Sequence, residues 1–243
     1  MTDIDPSDGI TSAPSGDAPD RAEIGKPRLR GRLHQGAFFV SIPAGIALEL
    51  EAPTTAARLA ATVYAVSLAA VFGASAAYHV GVWTEGALRR MRLLDHSMIF
   101  VLIAGTYTPF ALLVLRGAWT PLILALVWGG AAVGITLKVV ARDRLRVVAG
   151  ALYLGLGWLA AIALPQFVRG LDVAAITLVV VGGVLYTVGA IVLAVRRPDP
   201  RPAIFGYHEV WHSFTIGASL CHYTAIMLVL AQLPASQASH LVS

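Results

Sequence analysis

The sequence predicts an all-α membrane protein, a bundle of seven transmembrane helices, and three observations carry that prediction. Of its 243 residues 57% are hydrophobic and only 13% are charged, about half the charged share of a soluble domain. The charges fall in short clusters between long apolar runs, near 34–50, 56–80, 93–115, 119–140, 146–165, 172–195 and 207–232. Most of these runs approach the roughly 20 residues that cross a bilayer as a helix. They are continuous rather than alternating, so the segments that satisfy their own backbone in lipid are helices.

Residues 1 to about 25 hold Asp3, Asp5, Asp8, Asp17, Asp20 and Glu23 against a single Arg21. With their Ser, Pro and Gly they have the composition of a disordered acidic tail. They lack the basic start and apolar centre of a signal peptide. Lys26, Arg28, Arg30 and Arg32 follow. The chain divides into a tail at 1–30, a transmembrane domain at 31–233 and a short exposed C-terminal tail at 234–243. The first apolar run is the weakest, short, with Pro43 at its centre and Glu49 and Glu51 at its end. Gly73 with Ala77, and Gly130 with Gly134, form small-xxx-small pairs that let helices approach closely in lipid. Pro109 is expected to kink the third run. The lone Cys221 excludes a disulfide within the chain and reads as a packing residue.

Basic residues set the orientation. The N-terminal flank and the loops after the second, fourth and sixth runs hold all of the 18 except Arg58, Arg116 and Arg169. Positive charge marks the cytoplasmic side. The expectation is a multi-pass protein of the inner (plasma) membrane, N-terminus inside and C-terminus outside. The basic clusters are topology signals, so no nucleic-acid partner is implied.

Ionisable groups at membrane depth are costly and call for an account. His79 ends the second run, Asp95 opens the third, and His208 and His212 open the seventh. The topology places all four at the cytoplasmic ends of their helices. His208 and His212 stand four residues apart and share a helix face, as do Ser75 and His79. Three neutral imidazoles are the donor set of a catalytic zinc, which keeps a fourth position for water. His79, His208 and His212 are therefore the expected ligands of one Zn2+ per chain. Asp95 is either a fourth ligand or the acceptor of a hydrogen bond from the metal's water, and Ser75 can also serve that water. A bound zinc lowers the pKa of its water to about 7.

Other residues read more plainly. His208-Glu209-Val210-Trp211-His212 also fits the H-E-x-x-H signature of zinc proteases, in which the glutamate is the base. His96 is expected to have a structural or supporting role. His222 is expected to pack and bond to a neighbouring helix, and His34 and His240 to flank the membrane. Tyr107 and Thr108 are placed in the bundle interior. Tyr78, Trp83, Trp119, Trp128 and Trp211 mostly fall near helix ends, as expected for interfacial aromatics.

Four motifs in order carry a resemblance: Ser75-x-x-x-His79, Leu94-Asp95-His96-Ser97, Ala104-Gly105-Thr106-Tyr107-Thr108-Pro109 and Phe205-Gly206-Tyr207-His208-Glu209-Val210-Trp211-His212. Over residues 30 to 232 the chain resembles the hemolysin III family, bacterial relatives of the adiponectin and progestin receptors. The resemblance implies a seven-helix bundle with a cytoplasmic N-terminus. It implies zinc near the cytoplasmic face, with the three histidines falling on His79, His208 and His212, the family aspartate on Asp95 and the family serine on Ser75. It implies kinship in the metal constellation with alkaline ceramidases. The leading functional reading is a zinc-dependent hydrolase acting on a membrane lipid amide or ester, with Asp95 as general base. The alternatives are a non-enzymatic receptor or regulator with structural zinc, and a cytolytic, haemolysin-like protein.

The orientation is directly testable. Alkaline phosphatase folds only where its disulfides can form, outside the cytoplasm. Fused after Ser243 it is expected to be active, and fused after Glu85 inactive. The reverse pattern would overturn the inside N-terminus.

Overall fold

The computed structural model describes residues 26–141 and 145–233. The expected acidic tail, the C-terminal tail with His240, and Arg142 and Arg144 lie outside the described residues. The chain forms α1 (Arg32–Glu51), α2 (Thr55–Val80), α3 (Glu85–Leu113), α4 (Trp119–Ala141), α5 (Arg146–Gly157), α6 (Leu164–Gly170), α7 (Val173–Val195) and α8 (Tyr207–Ala231). Among the described residues there is no strand, only an isolated bridge between Arg201 and Phe205. Six helices are long and apolar enough to cross a membrane, and α5 with α6 forms a bent pair that makes a seventh crossing if taken as one.

Local chemistry sets the helix starts. Thr54 accepts from Ala57 N at 3.1 Å, Thr84 from Ala87 N at 3.4 Å, and Asp172 from Ala175 N at 2.6 Å. Each side-chain oxygen satisfies an amide that the first helical turn leaves without a partner. The Thr84 cap corrects the third run. The helix begins at Glu85, not near 93, because its first two turns carry Arg89, Arg90 and Arg92 and are polar. Hydropathy does not register a helix that projects beyond the apolar layer. Asp95 therefore lies about 15 Å along α3 rather than at its start.

The fifth run departs further from a single straight helix. It is α5, a 3-10 turn at Trp158–Ala161, then α6, with a bend of 49°. Gly155, Gly157 and Pro165 supply the weak helix propensity. A broken span in lipid needs its freed backbone groups paired. The Tyr107 hydroxyl of α3 does this, donating to Gly157 O at 2.7 Å and accepting from Ala160 N at 2.7 Å.

Short connections make successive helices antiparallel neighbours. α1 packs on α2, α2 on α3, and α3 on α4 and α5, while α8 packs on α7, α1 and α3 and closes the ring. More than half of the apolar window of α2 and of α3 is buried, against 17% in α7, so α2 and α3 are the centre. Tyr64 and Phe100 are fully buried there. The glycine pairs do not bring two backbones together. Gly134 receives the Phe100 ring, Gly130 the Leu156 side chain and Gly73 the Phe38 ring, so each glycine is a socket for a large side chain from the next helix.

These sockets yield a stability prediction. A Cβ on Gly134 would lie 2.2 Å from Cζ of Phe100, whereas nothing lies within 4 Å of one on Gly129. Gly134→Ala is expected to destabilise by about 1–3 kcal/mol, the usual cost of overpacking. Gly129→Ala is expected to leave the melting temperature unchanged or raise it. Thermal unfolding of the two detergent-purified variants checks this.

Candidate metal centre

One end of the bundle carries the unusual residues. His79 sits in the last turn of α2, and His208 and His212 occupy the first two turns of α8. Packing of α8 against its neighbours brings these imidazoles together across 129 residues of sequence. Nε2 of His208 lies 3.2 Å from Nε2 of His79. One ligand atom from each of the three histidines falls within 4.8 Å of the others. His79 and His212 are buried and His208 is half-buried.

The donor set fits a zinc ion. Two imidazole nitrogens at the usual bond length around a tetrahedral zinc stand about 3.3 Å apart, close to the separation of His79 and His208. Nδ1 of His212 is buried with no hydrogen-bond partner among the described residues. Buried polar atoms are ordinarily paired, and this one is an exception beside the triad.

Asp95 is beside the triad and not within it. Its Oδ2 lies 3.9 Å from Nε2 of His79, and it does not belong to the group of mutually close ligand atoms. The Ser75 hydroxyl, one turn before His79 on α2, hydrogen-bonds the Asp95 side chain, and both residues are buried. The structure thus gathers all five expected residues, three as a group and two as a bonded pair next to it.

Glu209 is turned to a different task. Its side chain is fully buried, pairs with Arg30 and accepts from Gly206 N at 2.8 Å. Both carboxylate oxygens are committed, one to a guanidinium and one to the start of α8. That engagement does not suit the general base of a protease. His222 bonds across to Val179 O at 3.2 Å, as expected. His96 accepts from the Tyr153 hydroxyl through its backbone carbonyl at 2.7 Å.

Two features were not anticipated. His34, in the first turn of α1, is buried in the protein: it is 3% exposed, and its ring stacks on that of His212. Residues 26–31 lie across the end of the triad. Arg28 N and Leu29 N donate to Ala203 O and Ile204 O, each at 3.1 Å. Lys26 Nζ donates to His79 O at the end of α2, where a cation complements the helix dipole. Desolvation against this end, with the Arg30 charge nearby, holds the Lys26 ammonium below its usual pKa. The only sequence signal for this strap was its run of basic residues, which topology alone accounts for.

An apolar cavity of about 260 Å³ lies below this end, between α3, the broken fifth span, α7 and α8. Its lining starts at Ile99 and Trp211, within a turn of Asp95 and His212, and continues to Phe167 and Leu171. Along α7 it runs from Ala190 to Ile176, about 21 Å of helix. Its lining includes Trp158 and Val180, each 51% exposed.

The clamp on Glu209 gives a prediction. Removing one partner of a buried ion pair costs about 3–5 kcal/mol, and replacing both by apolar residues costs far less. Arg30→Ala is expected to lose that much stability, and Arg30→Met with Glu209→Met to recover most of it. Denaturation of the detergent-purified variants reads both.

Comparison with known proteins agrees with this architecture. A family model described as "Haemolysin-III related" matches residues 22–223. The "Hemolysin-3 homolog" of Bacillus subtilis (strain 168) is 31% identical over 204 residues, covering 83% of this chain and 92% of that protein. "Hemolysin-3" of Bacillus cereus is 34% identical over 199 residues, covering 80% and 87%. "Monocyte to macrophage differentiation factor" of Homo sapiens is 26% identical over 190 residues, covering 76% of each. With its apolar helices, its ordered motifs and a family match over most of its length, this chain is a multi-pass integral membrane protein of the haemolysin-III-related family.

Proposed function

We propose that the protein is a metal-dependent hydrolase that cleaves an amide or ester of a membrane lipid near the cytoplasmic face. The observation that carries this reading is the triad itself: three imidazole ligand atoms within 4.8 Å of one another at the end of an apolar bundle. His79, His208 and His212 would hold one zinc ion. When bound, such an ion supplies Lewis acidity and lowers the pKa of a coordinated water toward neutrality.

The chain's own residues supply the rest. Asp95 stands outside the ligand group and accepts the proton of the attacking water at a carboxylate oxygen. Ser75 orients that carboxylate by its hydrogen bond. The cavity that begins within a turn of Asp95 and His212 takes the lipid's acyl chain, and its exposed lining at Trp158 and Val180 admits the chain from the bilayer. The apolar lining excludes water from the chain and offers no track for ions, which disfavours a pore. Glu209, held by Arg30, takes no part in proton transfer.

The burial of the imidazoles also favours a second reading, a regulator in which zinc only stabilises the fold. Asp95→Asn separates the two. In a hydrolase the variant keeps its zinc and loses about 10²–10⁴ in kcat, the usual contribution of a positioned base. His208→Ala with His212→Ala is expected to lose both zinc and turnover. Metal content by mass spectrometry, beside hydrolysis of lipid amides by the same detergent-purified protein, reads all three. Zinc in the wild type with no hydrolysis across lipid amides and esters would leave the regulator. No zinc in folded wild-type protein would remove both.

A further inference from the structure

The start of α1 touches two of the three histidines of the triad. Gly31, at φ +80°, turns the chain into α1 directly against His79, where a Cβ would come within 2.5 Å of the His79 Cβ. Three residues on, the His34 ring lies nearly flat on the His212 ring, with centroids 3.7 Å apart and planes 14° from parallel. Phe72 of α2 packs on His34 in turn, at 5.0 Å.

A metal-ligating imidazole ordinarily donates its second ring nitrogen to a carboxylate or carbonyl, and that bond sets the plane of the ring. His212 makes no such bond through Nδ1, which is buried without a partner among the described residues. Its ring contacts are with other imidazoles, His34 at 3.7 Å, His208 at 4.5 Å and His79 at 5.4 Å. The terminal torsion of a histidine is soft, so something must prevent the ring from swinging. A flat ring stacked on its face does so, because rotation would drive an edge of His212 into it. The stack also strengthens when a cation is bound, since the π face of a neutral ring attracts positive charge.

We infer that His34 is a positioning residue for the metal triad: the face of its ring holds His212 in the plane in which it can meet His79 and His208. Its own nitrogens are not ligands, since His34 is not in the group of close ligand atoms. The inference rests on the metal reading above and concerns preorganisation of the site, whatever its chemistry.

The test uses full-length protein as wild type, His34→Ala, His34→Leu and His34→Phe. Zinc affinity is measured by competition with a chromophoric chelator, and ligand geometry by the visible spectrum of the cobalt-loaded protein. The heat stability of the metal-stripped protein is recorded alongside. His34→Ala and His34→Leu are expected to bind zinc about 10–100-fold more weakly, the usual effect of losing an orienting partner, and to show an altered cobalt spectrum. His34→Phe is expected to keep affinity and spectrum, because it keeps the stack. Its stripped form should stay close to wild type in heat stability, because the Phe ring fills the same buried space. Unchanged affinity in His34→Ala would overturn the inference, and so would a loss in His34→Phe as large as in His34→Ala. If His34→Ala does not fold, Leu against Phe decides, since both fill the space and only one stacks. A wild type that binds no zinc ends the metal reading itself, an outcome distinct from any difference among the variants.

Discussion

A polar group without a partner in hydrocarbon costs several kcal/mol, and the structure depends on how the chain meets that constraint. Threonines at 108, 136, 177, 187, 215 and 224 return their hydroxyls to the carbonyl four residues earlier. Tyr64 bonds to Ser219 O and Tyr186 to the Ser219 hydroxyl. Tyr107 closes the break in the fifth span, and Arg30 neutralises the fully buried Glu209. Satisfied this widely, the rule makes its exceptions informative. Nitrogens of His34 and His212 are among those left over, and they meet at one end of the bundle.

Several contacts between residues far apart in sequence also meet at that end. The N-terminal strap joins the segment before α8, α1 packs against both α2 and α8, and the helices that carry the three histidines are held from outside the triad. Preorganisation of this kind is what a metal site requires, because ligand rings that must be ordered on binding lose affinity to entropy. The first helix, the least hydropathic of the six long spans, meets the triad through its first turn and packs on α2 through Gly45 and Leu48.

The broken fifth span and the cavity form a second unit. A straight helix there would fill the space between α3 and α7. The 49° bend leaves a trough lined by apolar side chains. The socket glycines of α4 serve the same arrangement, admitting Phe100 and Leu156 so that α3, α4 and α5 pack tightly behind the trough.

Much of this was legible in the chain itself. Composition and the length of the apolar runs determine a helical membrane bundle, since lipid leaves few alternatives for the backbone. Ionisable residues are so rare in such runs that His79, Asp95, His208 and His212 stand out without a structure, and the i, i+4 spacing alone puts two of them on one face. Other features were illegible for equally physical reasons. The start of α3 was hidden because a polar helix beyond the apolar layer has no hydropathy signal. Arg30 and Lys26 looked like topology charges, because the same residues serve orientation and pairing alike. His34 looked interfacial, because its burial depends on how α1 meets α8, which no local pattern records. Only tertiary packing decided which of these groups come within reach of one another and which side chains pack around them, because that is set by distances between helices far apart in sequence.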